Sequence, residues 1–253
     1  MLFQRVLLLL TISLFANNLF AQLDTAFWFV APEVTQIHGD RPIVFRFSSL
    51  ENATTITIDQ PSNPTFPTQT INLGPNDSQT IDLTTWIDII ENKPADQILS
   101  YGFKISATEQ ITAYYEVTPT CNCNPDIFAL KGRNALGLAF LTPFQNLLNN
   151  ASYARSGFNI VATEDNTNIT ITPTQNIIGH LAGAPFTITL NRGQTYYGEA
   201  TGTNANQHLG GTSIISNKPV AVTLSDDTAQ GTPFGGCADL MGDQLIPISI
   251  LGT

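Results

Sequence analysis

The sequence predicts an all-β fold made of two tandem β-sandwich-like units of roughly 110 residues each. Most segments alternate polar and apolar residues with a period of two and are rich in Ile, Val, Thr, Phe and Tyr, while helical periodicity is nearly absent. Turn residues separate these segments every ~8–12 positions, as in a β-sandwich. Residues 52–58 (NATTITI) recur as residues 165–171 (DNTNITI), 113 positions later. A β-propeller-like array is the alternative, because two four-stranded blades per repeat also match the number of segments.

Residues 1–21 are predicted to be a signal peptide. Arg5 supplies the positive charge, residues 6–15 form an apolar run, and Ala21 offers a small residue before the predicted cleavage at Gln22. The run is too short to span a bilayer comfortably, and no later stretch approaches the ~20 apolar residues that a membrane helix requires. We therefore expect a secreted or cell-surface protein with no transmembrane helix in the mature chain.

The first unit is predicted at residues 22–120, with a connecting segment at 121–136 and the second unit at 137–236. Strands are expected in the first unit at residues 27–30, 44–48, 54–58, 70–73, 79–83, 103–106 and 111–115. Strands are expected in the second unit at residues 137–141, 157–162, 168–172, 186–190, 195–199, 211–215 and 220–224. Gly193 and Pro219 favour turns between strands. Short helices are expected at residues 84–92 and 143–149.

Two further alignments extend the repeat. Residues 26–32 align with residues 137–143 at an offset of 111, which places Phe29 opposite Phe140. Residues 237–253 match the lead-in to the second unit, since Leu136-Gly137 recurs as Leu251-Gly252. We expect residues 237–253 to introduce a truncated third unit, so that the sequence is an N-terminal fragment of a longer protein.

The charge balance argues against two classes of partner. The net charge is −10, and removing Arg5 with the signal peptide leaves nine basic side chains against 20 acidic ones, a net charge of −11. Nucleic acids and anionic lipids both require clustered Lys and Arg. We therefore expect no nucleic-acid partner, and we interpret the acidic surface as a source of solubility outside the cell.

The chain has three cysteines, Cys121, Cys123 and Cys237. Cys123 and Cys237 occupy equivalent places in successive units, and export permits disulfides. A Cys123–Cys237 disulfide is expected only if the two connecting segments are spatial neighbours, and it leaves one thiol over. A metal site would need further His or Cys residues close by, and the sequence has none there.

Candidate catalytic and metal-binding residues are few. His38, His180 and His208 lie in predicted loops without metal-ligand spacing, so we expect exposed histidines. The carboxylate pair Glu164-Asp165 is explained by turn capping. The pair Asp226-Asp227 follows a strand and offers a structural calcium site, the one cofactor that we consider. No hydrolase or nucleotide-binding fingerprint occurs.

Aromatic residues form one run and two doublets. Trp28 lies in Phe27-Trp28-Phe29, where successive side chains alternate between faces and at least one face is expected to be buried. Tyr114-Tyr115 and Tyr196-Tyr197 are each expected to point one ring outward, where it packs across strands or stacks on a sugar or protein ligand.

Several phrases in the second unit resemble the N-terminal domain of the IgGFc-binding protein family. They occur in this order: residues 158–173 (FNIVATEDNTNITITP), 189–196 (TLNRGQTY), 209–222 (LGGTSIISNKPVAV), 237–240 (CADL) and 244–253 (QLIPISILGT). The family's usual Cys-Asp pair is split here by Ala238. The resemblance implies a bacterial secreted or surface protein with adhesive modules. It supplies no catalytic residues, and we do not carry antibody binding over to this chain.

The leading hypothesis is a non-enzymatic, secreted or cell-surface adhesion module that binds an extracellular protein or glycan through loops at one end of each unit. The first alternative is an extracellular carbohydrate-active enzyme that uses Glu164 or Asp227. The second is a structural stalk that spaces a further domain from the membrane.

Overall fold

The computed structural model describes residues 22–119, 125–231 and 238–250. These residues form two nearly closed sheets in a sandwich or barrel-like arrangement, so the predicted all-β fold is confirmed. Strands β1 to β8 are Asp24–Phe29, Ile43–Ser49, Thr54–Asp59, Gln69–Leu73, Ser78–Asp82, Ile98–Leu99, Phe103–Val117 and Asp126–Ala129. Strands β9 to β16 are Gly137–Leu141, Asn149–Asn150, Ser156–Ala162, Thr167–Thr172, Phe186–Leu190, Thr195–Glu199, Ser213–Gln230 and Ala238–Gln244. Short 3-10 helices are Gln36–His38, Thr84–Ile89, Gly132–Ala135, Ala205–Gln207 and Ile248–Ile250.

The first sheet has seven strands in the order β4-β3-β7-β2-β5, with β1 and β8 also paired to β7. The 15-residue strand β7 pairs with β3 and β1 through its first half and with β2 and β8 through its second half. The two strands predicted at 103–106 and 111–115 are therefore one strand. The strand continues through the predicted turn, but the alternation of burial breaks at residues 107–110. The extra residues lie in β7, because the step from Asp24 to Ala26 in β1 spans Ile111 to Ser106 in β7.

The second sheet has nine strands in the order β13-β12-β15-β11-β14-β6, with β9, β10 and β16 also paired to β15. Here too the predicted strands at 211–215 and 220–224 are one strand, β15. In place of the predicted turn at Pro219, β15 has an interruption in its pairing, since it pairs with β12 up to Ser216 and with β11 from Val220 onward. Pro219 therefore sits where the ladder requires no N–H donor.

The strand pairing of the second sheet follows the scheme of the first. Ile58 pairs with Ile105, which pairs with Phe27. In the same way Ile171 pairs with Ile214, which pairs with Phe140. Phe140 thus corresponds to Phe27, and the sequence alignment that placed it opposite Phe29 was wrong by two residues.

Each sheet encloses its own core. The first is rich in aromatic rings, and the centroids of Phe45 and Phe103 lie 5.1 Å apart. The second core is mainly aliphatic and contains Phe158. Its ring occupies the space above Gly198, where a Cβ would lie 2.2 Å from the ring. Gly198 therefore leaves room for the ring that fills this core.

The two sheets also contact each other. The two-residue strand β6 follows the first sheet's strands in sequence but pairs with β14 of the second sheet. Trp28 and Val30 pack against Val161 and Ala221 of the second sheet. Leu240 of β16 belongs to the core of the first sheet. Within the described ranges, no helix combines the length and apolar character needed to cross a bilayer.

Candidate functional site

The candidate site lies where residues 142–148, called the 142–148 segment, leave β9 and pass over β15. Gln145 holds this segment in shape. Its Oε1 accepts hydrogen bonds from the N–H groups of Leu147 and Leu148, each at 2.8 Å. Its Nε2 donates to the carbonyl of Leu148 at 3.0 Å and to Asp226 Oδ2 at 2.8 Å. The helix predicted at 143–149 does not form, because Gln145 satisfies backbone groups in a tight turn.

His208 is fixed beneath this segment. Its Nδ1 lies 3.2 Å from Asp226 Oδ2 and 3.0 Å from the carbonyl oxygen of Gln145. Nδ1 also lies 3.0 Å from Gln145 Nε2, but both protons of that amide have other acceptors. Since the Asp226 and Gln145 oxygens are acceptors, Nδ1 carries a proton. Nε2 has no hydrogen-bond partner among the described residues.

The expectation that the histidines are exposed is wrong for His208, whose side chain is 1% exposed. Burial is tolerated because the Asp226 carboxylate satisfies Nδ1. His180 is half-buried, stacks on Phe186 with ring centroids 3.4 Å apart, and lies 3.0 Å from Asp96 Oδ1. The side chain of His38 lies outside the described residues.

Asn150 completes the polar network around Asp226. Its Nδ2 donates at 2.7 Å to Asp226 Oδ1 and at 2.7 Å to the carbonyl of Asp227. Nearby, Thr228 has a φ of 50°, and the β15–β16 register shifts between Asp226 and Ala229. The network therefore supports a β-bulge that re-aims the strand at this point. Both oxygens of Asp226 are occupied by this structural role.

Two cavities lie on either side of the 142–148 segment. The larger has a volume of about 500 Å³ and is lined by His208 together with residues of the segment and of the loops that precede β13 and β15. The smaller has a volume of about 270 Å³ and is lined by Asp226, Leu224 and residues of β16. The larger volume is within the usual range of small-molecule sites, ~300–1,000 Å³.

Asp227 faces away from Asp226. Its Oδ2 accepts the N–H of Thr35 at 2.8 Å, and it lines a cavity of about 70 Å³ with Glu33, Glu199 and Arg155. Burial raises the pKa of Glu199 to about 7, and repulsion from Glu33 adds to this rise. Burial likewise raises the pKa of Glu33. The predicted carboxylate pair is thus divided between two environments.

The residues proposed for a carbohydrate-active enzyme do not come together. Strand β11 pairs Ser156 with Asp226 and Ala162 with Val220, and Glu164 lies beyond the Ala162 end. Six residues of strand separate these ends by ~20 Å, whereas glycosidase carboxylates lie ~5–9.5 Å apart. Glu164 is exposed at the turn before β12, where its carbonyl accepts the hydroxyl of Thr167 at 2.7 Å.

The structure does not test the predicted Cys123–Cys237 disulfide or the predicted calcium site at Asp226-Asp227. Cys121, Cys123 and Cys237 lie outside the described residues. Among the residues that are described, no group of three or more His, Cys, Asp or Glu side chains is arranged to hold a metal ion. Calcium at Asp226-Asp227 stays a prediction.

The tyrosine doublets differ from each other. Tyr115 is in the first core, while Tyr114 is half-buried and points outward into a cavity of about 330 Å³. Tyr196 and Tyr197 are both buried. The prediction that one ring of Tyr196-Tyr197 faces solvent is wrong, because residues of the first sheet cover the outer face of the second sheet. Trp28 is 8% exposed, as expected for a residue with a buried face.

Gln145 and Asn150 were missed by sequence reasoning. Gln145 is 81 positions and Asn150 is 76 positions from Asp226. No local pattern connects them, because an isolated Gln or Asn in a polar loop carries no spacing signal. The pair Asp226-Asp227 was the part of the site that sequence did indicate.

Comparison with known families places this region in context. Residues 129–253 match the family model described as IgGFc binding protein. The match includes β9, the 142–148 segment, His208 and Asp226, and it confirms the resemblance found in the sequence. A search of curated proteins finds no match. Through residues 129–253, this chain belongs to the IgGFc-binding protein family.

Proposed function

We propose that this protein is a secreted or cell-surface adhesion module that binds an extracellular protein or glycan at the 142–148 segment. Two findings support the proposal. The family is a binding family rather than an enzyme family, and the matched residues include the whole segment. The polar network beneath the segment holds it in one shape, and preorganisation of this kind reduces the entropy lost on binding.

The role of Asp226 is the observation that carries the proposal. Its carboxylate is 4% exposed and has hydrogen-bond partners on both oxygens: Asn150 on Oδ1, and Gln145 and His208 on Oδ2. A catalytic acid or base must reach the substrate within hydrogen-bond distance. Asp226 is instead engaged in shaping the surface above it, which suits recognition better than proton transfer.

The experiment is a binding survey with a variant that releases the segment. The purified protein is applied to a glycan microarray and to immobilised extracellular proteins, including immunoglobulin G. Gln145→Ala removes four hydrogen bonds within the site and is expected to weaken whatever binding is observed. Gln79→Ala, on the exposed face of the first sheet, is the matched control.

Equal binding by Gln145→Ala and the wild type, with circular dichroism spectra unchanged, would place recognition elsewhere. Turnover of a polysaccharide panel in the absence of any stable complex would overturn the proposal in favour of an enzyme.

A further inference from the structure

We infer that the larger cavity beside the 142–148 segment is a site for a neutral, hydroxyl-rich glycan. This inference rests on the proposed binding function and names the chemistry of the ligand. It is carried by the uncharged, unpartnered amides around the cavity and by the apolar part of its lining.

The polar groups that line the cavity are uncharged. Three side-chain amides, those of Asn146, Gln175 and Asn206, line it, and no hydrogen bond within the described residues engages them. An amide offers both donors and acceptors. A sugar hydroxyl also donates and accepts, so it satisfies both ends of such a group. The rim is therefore matched to hydroxyl groups in its chemical type.

His208 supports the wall of the cavity. Its Nδ1 is held by Asp226 and Gln145, so the ring cannot turn without breaking these contacts. The opposite nitrogen, Nε2, is buried and closed to solvent, so a ligand in the cavity does not reach it. The ring therefore fixes Gln145 and leaves the polar contacts with the ligand to the rim amides.

The lining disfavours charged ligands. No Lys or Arg among the described residues lines this cavity, so a phosphate, sulfate or sialic acid carboxylate would have no cation. No carboxylate lines it either, so a cation would have no anionic ligand. The cavity on the first sheet is different, since Arg46 and Glu116 line it.

The apolar part of the lining suits a sugar ring. Phe144 is half-buried and borders both cavities. A Cβ added to Gly210 would lie 3.4 Å from the carbonyl oxygen of Phe144, and Gly211 has a φ of +82°. Without side chains at these two positions, backbone and ring form an open surface against which the C–H face of a pyranose can pack.

The test is a microarray carrying neutral, sialylated and sulfated glycans, followed by calorimetric titration of the best neutral oligosaccharide. Asn206→Ala and Gln175→Ala each remove one unpartnered amide and are expected to weaken binding by about fivefold. Gln79→Ala is the control and should leave the dissociation constant unchanged.

The melting temperatures of the two rim variants, Asn206→Ala and Gln175→Ala, are measured beside their affinities, so that a loss of binding is separated from a loss of stability. Preference for sulfated or sialylated glycans overturns the inference, as does neutral glycan binding that is unchanged in both rim variants. If no glycan binds but an extracellular protein is captured in a manner that depends on Gln145, the glycan inference fails and the proposed function stands. If nothing binds, both fail.

Discussion

The outer faces of the two sheets have the same strand pairing and opposite surroundings. On the second sheet, Asn159, Val161 and Ala221 are fully buried beneath residues of the first sheet. The corresponding residues of the first sheet are Arg46, Ser48 and Thr112, and all three are exposed or half-buried. Strand pairing therefore decides which residues share a face, whereas the neighbouring structure decides whether that face is buried.

The side chains on the two faces are adapted to these surroundings. On the covered face, Asn92 Nδ2 donates to Asn159 Oδ1 at 3.0 Å, and the hydroxyl of Thr195 donates to Asn92 Oδ1 at 2.6 Å. On the open face, Arg46 forms an ion pair with Glu116 at 2.5 Å. Buried polar groups need geometric partners. The ion pair on the open face differs because its Arg46 side chain is 49% exposed, although Glu116 is 9% exposed.

The largest expected effect comes from Trp28→Ala. Trp28 fills the contact between the sheets, so its truncation should lower the free energy of unfolding by about 3–5 kcal/mol. Tyr114→Ala on the open face is the comparison and should cost much less, because its ring is partly solvated. Urea denaturation measures both. Similar losses for the two variants would show that the two faces do not differ in packing.

Asn92→Ala should have the next largest effect. It leaves Asn159 and Thr195 without their shared partner in a buried contact, at an expected cost of about 2–3 kcal/mol. Asn72→Ala is the control, because Asn72 accepts the hydroxyl of Thr55 on an exposed surface. A negligible change for Asn92→Ala in the same denaturation assay would contradict the assignment of this contact as structural.

Exchanging corresponding residues should test directly whether the covered face of the second sheet is packed more tightly than the open face of the first. Ala221→Thr adds atoms and a hydroxyl to the covered face and should destabilise the fold by about 1–3 kcal/mol. Thr112→Ala makes the opposite change on the open face and should remain within about 0.5 kcal/mol of the wild type. Thermal unfolding of both variants tests this pair, and equal effects would argue against it.

The smallest expected effect depends on pH. The pKa of Glu199 is raised from 4.5 to about 7 in the folded state, mainly by burial. The folded state therefore binds more protons between these values, and the contribution of Glu199 to stability falls as the pH rises through this window. Glu199→Gln should gain melting temperature relative to the wild type between pH 5 and pH 8. The exposed Glu164→Gln should show no such trend, and a trend shared by both would remove the assignment to Glu199.

The strands were predictable because their pattern is local. The predicted ranges 137–141, 186–190 and 195–199 coincide with β9, β13 and β14. The prediction divided each of the long strands β7 and β15 into two. Residues such as Pro219 favour turns, but a strand can include them where the pairing needs no N–H donor.

The candidate site was predictable only in part. Asp226-Asp227 stands out as a carboxylate pair, but its two side chains face different surroundings and neither pairs with Glu164. His208 was expected to be exposed, because nothing near it in sequence indicates a partner. Its contact with Gln145 joins residues 63 positions apart.

By itself, the sequence determined the all-β class, most strand positions and the family, because side-chain alternation and ordered motifs depend on residues close together in the chain. Only the tertiary structure decided which sheet face is covered. It also decided that Tyr197 and His208 are buried and that Glu164 and Asp227 lie far apart. Those outcomes depend on contacts between distant residues, and a period of two has the same form whether the outward face meets water or another sheet.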